Sequence, residues 1–148
     1  WGIYCANNYY FMQKKVTYDL RHIVGSCWGC INKKIKLGIV EHDGPEDFER
    51  TILYYLRDGA VVRYNNVTAK SNYWTEPGGL QARGDRIERS LMNCKLLVDA
   101  FPHLCRLREK KRTNPMGEIA NITDIVLKYQ DKKHKKDGLE NREFTELI

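Results

Sequence analysis

Between Asp85 and Phe101 the apolar positions recur at helical spacing. At about 100° per residue, Ile87, Leu91, Cys94 and Val98 share one narrow stripe, while Arg83, Arg86, Arg89, Ser90 and Asn93 fall on the opposite side. Asp85 is placed as an N-cap, and no proline interrupts before Pro102. The spacing therefore predicts a helix with one face toward a core and one toward something negative. Arginine forks and an asparagine amide are the groups that pair with guanine and adenine edges in a major groove. A solvated polar face on an ordinary core helix is the plainer reading.

The same procedure predicts the other elements. Tyr4 to Lys15 reads as a short, tyrosine-rich helix with Lys14 and Lys15 at its negative end. Val16 to Val24 alternates as a strand, Gly25 to Cys30 is a turn of small residues, and Ile31 to Val40 alternates again with Lys34 and Lys36 outward. Asp43-Gly-Pro45 opens a helix with the stripe Phe48, Ile52, Tyr55 and Leu56, closed by Gly59. Ala60 to Thr68 reads as a third strand carrying Arg63, and Lys70 to Gly84 as a loop exposing Tyr73 and Trp74. Pro102 to Arg112 is expected to be a short helix, Asn114-Pro115 a break, and Met116 to about Lys133 a last helix with Ile119, Ile122, Val126 and Tyr129 on one face.

This succession predicts an α+β fold: a small antiparallel sheet, formed by a hairpin around Cys27 to Cys30 and a third strand, packed with four to five helices. Residues 1–136 read as the folded part, either one body or two packed lobes of about 1–70 and 71–136. Residues 137–148 are charged without apolar support and read as a loose tail.

Charge sharpens the picture. The 148 residues carry a formal charge of +6, which favours a polyanionic partner. It is sorted along the chain: Lys14, Lys15, Arg21, Lys33, Lys34 and Lys36 stand against Asp19 alone, whereas Glu41 to Asp58 is acidic. No apolar run approaches the roughly 20 residues that span a bilayer, and no secretory signal pattern is present, so no membrane partner is expected. Beginning at Trp1 rather than Met, the sequence reads as an excised domain. Its five cysteines are unevenly spaced and read as reduced thiols.

Candidate chemistry is sparse. Cys27-x-x-Cys30 has the spacing of half a zinc knuckle, with His103 and Cys105, or Cys94, as candidates for the other half. Plain turn cysteines are the competing reading, and apart from this structural zinc no cofactor is expected. Glu41-His42-Asp43 with Glu46 and Asp47 resembles a hard-cation site of a metal-dependent nuclease, but capping and the helix dipole account for the same acids. Gly78-Gly79 lacks the Lys-Ser/Thr of a phosphate loop, and no Ser/His/Asp or Cys/His arrangement is readable. A non-enzyme is expected.

The basic constellations point to nucleic acid. Arg86, Arg89 and Asn93 are candidates to approach bases. Arg83, Lys95, Arg106, Arg108, Lys110 and Lys111 are candidates for phosphates, with Lys34, Lys36 and Arg63 adding a basic sheet face. Tyr73 and Trp74 would pack on the backbone or a base. Duplex DNA is the expected partner. An RNA or single-strand binder, a nuclease and a protein-interaction adaptor are the rivals.

Three motifs at the front of the chain resemble the transcriptional transactivators of foamy viruses. Gly2-Ile3-Tyr4-Cys5-Ala6 is similar to that family's Gly-Leu-Tyr-x-Ala. Ile23-Val24 before Cys27-Trp-Gly-Cys30 is similar to its Ile-Val followed by Cys-x-x-Cys, and Gly59-Ala-Val-Val62-Arg63-Tyr64 to its Gly-x-x-Val-Lys-Tyr. The motifs keep the family's order and cover residues 1–64. The resemblance implies the DNA-binding domain of a viral activator that acts in the host nucleus on promoter elements in the long terminal repeat and an internal promoter. Host transcription machinery would be engaged through an activation segment outside this chain.

Overall fold

The computed structural model describes residues 1–6, 8, 10, 12, 16–41, 44–69, 86–113 and 119–128. Within them lie β1 (Gly2–Tyr4), β2 (Val16–Thr17), α1 (Glu46–Asp58), β3 (Arg63–Thr68), α2 (Arg86–Ala100), β4 (Cys105–Thr113) and β5 (Ile119–Leu127). β1, β3 and β2 form one sheet in that order, with β1 parallel and β2 antiparallel to the central β3. β4 and β5 form a separate antiparallel ribbon, registered from Cys105 opposite Leu127 to Thr113 opposite Ile119.

α1 forms where the sequence places it. Glu46, Asp47 and Glu49 occupy its positive first turn, and Gly59 ends it with φ 74°, its N–H donating to the Tyr55 carbonyl. Ile52 is wholly buried, Phe48 and Tyr55 pack around it, and Leu56 is 54% exposed. α2 brings Asn93, Cys94 and Leu97 inward. A single core joins Leu20 and Ile52 to Cys94 and Leu97 of α2 and to Cys105, Ile125 and Leu127 of the ribbon.

The three motifs of residues 1–64 meet in space. Gly2 N–H donates to the Val62 carbonyl at 2.9 Å, Gly2 bridges Trp28, and the Gly29 N–H donates to the Trp1 carbonyl. A Cβ at Gly2 would lie 2.2 Å from Ile23 Cγ2 and 3.2 Å from the Cys27 carbonyl oxygen, so the close approach requires glycine. Gly2→Ala is expected to cost about 1–3 kcal/mol through overpacking, read as a lower urea midpoint at unchanged slope.

The observed architecture corrects the expected one. The described residues hold two helices and five strands in two small sheets, not four to five helices around one hairpin. Tyr4 ends a strand instead of starting a helix. Only Val16–Thr17 of the first hairpin strand pairs, and residues 31–40 form no strand, so the hairpin around Cys27 to Cys30 is absent. Its backbone donors are spent elsewhere: Gly38, Ile39 and Val40 N–H donate to the Glu49 carboxylate, Lys34 N–H donates to Asn32 Oδ1, and Lys34 has φ 57°.

The two expected C-terminal helices are instead the strands of the ribbon. Cys105 and Leu107 face the core while Arg106 and Arg108 are exposed, a period of two. The β-branched run of Ile119–Leu127 supplies the pairing surface. The lobe boundary near residue 70 and the 137–148 tail lie outside the described residues.

Candidate nucleic-acid interface

α2 is a helix, but its outward face is not the expected one. Asn93 is 1% exposed, its Oδ1 accepting the Glu41 N–H at 2.9 Å, and a Cβ on Gly44 would lie 2.8 Å from its amide carbon. The amide is committed to holding the chain before α1, so it cannot read a base. Among the α2 side chains described, the exposed ones are Glu88, Met92, Lys95, Leu96, Asp99 and Ala100, which are mixed in charge and partly apolar. Lys95 is thus exposed beside acids, and Arg89 is half-buried. Of Arg86 only the backbone, at the first turn of α2, is described. Arg83, Tyr73 and Trp74 lie outside the described residues.

Arg63 is buried as well. Its Nε donates to Asn65 Oδ1 at 2.7 Å, Nη1 donates to the His22 carbonyl at 3.2 Å, and the guanidinium lies 4.8 Å from the Tyr4 ring centroid. This arginine ties β3 to its neighbours and does not join a basic outer surface. Lys34 and Lys36 are exposed on the irregular 31–40 segment.

The ribbon gathers the remaining candidates. Its inner face, with Cys105, Leu107, Ile125 and Leu127, belongs to the core shared with α2. Strand alternation turns Arg106, Arg108 and Lys110 to the other face, and Lys111 is exposed as well. Asp124 stands directly across from Arg108. Its carboxylate accepts a hydrogen bond from Lys110 Nζ and lies 3.6 Å from the Arg108 guanidinium. Burial opposes ionisation of Asp124, but the Lys110 hydrogen bond and charge, with Arg108 behind, hold its carboxyl below the usual carboxylate range. Asp124 is the site residue missed in the sequence. Its signal is register: only the β4 to β5 pairing puts it among these cations.

No family model, curated protein or solved structure matches this chain.

The expected zinc ligands go separate ways. Cys105 is buried in the core, its Sγ lying 3.4 Å from the Phe101 carbonyl oxygen and 3.7 Å from that of Leu97, and burial pushes the thiol up. Cys30 Sγ accepts the Tyr54 hydroxyl at 3.0 Å, while Cys27 is half-buried and His103 exposed. Among the described residues no group of three or more His, Cys, Asp or Glu is arranged to hold a metal. Asp47, a member of the nuclease-like acidic run, is turned to His22 and Gly25; His42 and Asp43 lie outside the described residues. No helix among the described residues is long and apolar enough to cross a membrane.

Proposed function

We propose that this chain is a double-stranded DNA-binding domain that docks through the β4–β5 ribbon rather than through α2. The observation that carries the reading is the row Arg106, Arg108, Lys110 on the outward face of a two-stranded ribbon whose other face is anchored in the core. A major groove admits such a ribbon, and guanidinium forks suit both guanine edges and phosphates. Asp124 sets the orientation of two of the three cations and tempers their field. The motif resemblance supports promoter DNA as the target and the host nucleus as the place of action. Because those motifs pack into the β1–β3 sheet, they would act as scaffold and not as contacts.

Affinity for duplex DNA should fall for Arg106→Ala and Arg108→Ala, each lowering the slope of log affinity against log salt by about 1 if it meets a phosphate. If one of them reads a base, about 1–3 kcal/mol of discrimination should disappear at a single position. Asp124→Asn should tighten binding by releasing Arg108 and Lys110. A fluorescence titration of these variants against duplex, single-stranded DNA and RNA at several salt concentrations makes the test. Unchanged affinity for Arg106→Ala and Arg108→Ala together removes the ribbon as the docking element. Preference for unpaired strands would transfer the reading to a single-strand or RNA binder.

A further inference from the structure

The segment 31–37 forms no strand, yet α1 holds it at both ends. On one side the Tyr54 hydroxyl donates to the Ile31 carbonyl at 3.4 Å, and Arg57 Nη1 donates to the Lys33 carbonyl at 2.9 Å. On the other, the Glu49 carboxylate takes the N–H groups of Gly38, Ile39 and Val40. Between these anchors the chain turns at Lys34, whose φ of 57° is uncommon for a residue with a side chain and whose N–H donates to Asn32 Oδ1 at 2.9 Å. An arch fastened at both feet to one helix thus presents Lys33, Lys34 and Lys36, all three exposed.

The charge of the arch is uncompensated. Among the described residues no ion pair engages any of the three lysines. On α1, Glu49 spends both oxygens on backbone N–H groups, and Asp58 stands 3.8 Å from Arg57. The ribbon differs, since Asp124 already engages Arg108 and Lys110.

We infer that this arch is a second docking element, which grips the phosphodiester backbone of duplex DNA without reading its sequence. The inference rests on the proposal that the chain binds DNA, and it adds a contact that the ribbon does not supply. The side chains set the chemistry. An ammonium is a compact point charge suited to phosphate, whereas the guanidinium forks of Arg106 and Arg108 also suit base edges. The three lysines lie within four residues, a reach of about 10 Å of chain. Phosphates on one strand recur about every 3.4 Å of helix axis, so each lysine can meet one. Because the anchors fix the turn before DNA arrives, little backbone freedom is lost on contact. The arch therefore contributes salt-dependent affinity for every sequence, and the ribbon contributes the preference among sequences.

The test titrates the full chain with a fluorescent duplex of arbitrary sequence at several salt concentrations. Lys33→Gln, Lys34→Gln and Lys36→Gln combined should lower the slope of log affinity against log salt by about 2–3, near 0.9 for each phosphate lost. Binding to a second, unrelated duplex should weaken equally. The triple arginine variant, which keeps the charges, should retain the parent slope. Since all three side chains are exposed, both variants should keep the parent's urea midpoint. An unchanged slope in the glutamine variant, while Arg106→Ala with Arg108→Ala lowers it, overturns the arch and leaves the ribbon standing. A slope lowered by the arch variant alone sustains the arch and removes the ribbon. A loss confined to one of the two duplexes overturns the sequence-independent grip. A parent chain with no measurable affinity for duplex overturns the DNA reading itself, and the arch with it.

Discussion

Glu49→Gln is expected to remove about 2–3 kcal/mol of folding stability, and Glu49→Ala about 4–5 kcal/mol, large effects for a residue with no part in the proposed interface. The side chain is wholly buried, yet no ion pair among the described residues holds it. Instead Oε1 accepts the N–H groups of Gly38 and Ile39 at 2.7 and 3.0 Å, and Oε2 accepts that of Val40 at 3.1 Å. One carboxylate stands in for the missing strand partner of residues 38–40. Glutamine keeps one oxygen with two lone pairs but turns an amide N–H₂ toward the Val40 N–H, so two donors face each other. Alanine leaves all three N–H groups without acceptors and frees Ile39 and Val40, which pack against the core. Urea unfolding gives the total loss. Native-state amide exchange should show Gly38, Ile39 and Val40 opening ahead of α1 in the glutamine variant. An unchanged urea midpoint for Glu49→Gln would mean that the segment is held by its apolar contacts alone.

What the sequence could and could not disclose follows from the range of each interaction. α1 is legible because its determinants are local: acids in the first turn, Phe48, Ile52 and Tyr55 at helical spacing, and a glycine just past the end. β3 and the existence of α2 are legible for the same reason. The rotation of α2 is not, because the partner that draws Asn93 inward is the Glu41 N–H, 52 residues away, and no local pattern marks it. The ribbon defeats periodicity differently. In Ile119–Leu127 the apolar residues are dense enough to satisfy both a period of 3.6 and a period of two, and the pairing with Cys105–Thr113 decides between them. In Cys105–Thr113 only Cys105 and Leu107 carry the alternation against a run of cations. Thus the cations Arg106, Arg108, Lys110 and Lys111 are visible as a cluster, whereas their arrangement in a row is not. Glu49 and Asp47 are hidden for a further reason. Acids in a first turn are already explained by the dipole, so nothing in the sequence asks for a second role.

Raising the pH from 6 to 10 should weaken the fold through His22. Burial alone would lower the pKa of His22, but the hydrogen bonds and charges of Asp47 and Cys5 raise it from 6.5 to about 9. Folding therefore favours the imidazolium. The stabilisation is complete below the unfolded value of 6.5 and is lost as pH rises through about 9. For Asp47 the sign is opposite: desolvation is outweighed by the His22 hydrogen bond and charge, so its carboxyl lies below 3.8 and its contribution disappears only in acid, as pH falls through the folded value. The pair is thus most stabilising between roughly pH 4 and 6.5, and the His22 share amounts to about 3 kcal/mol. Cys5 titrates against the same ring, so the measurement belongs in a Cys5→Ser background, with His22→Gln as the reference. Glutamine can still donate to Asp47 but carries no charge at any pH. The stability gap between the Cys5→Ser protein and the same protein carrying His22→Gln, from urea unfolding, should be widest near pH 6 and should shrink by pH 10 by the share of that amount that Asp47 supplies, the Cys5 share being absent from this background. A gap independent of pH would show that His22 contributes through its stacking on Phe48 and its neutral hydrogen bond, with no imidazolium in the folded protein.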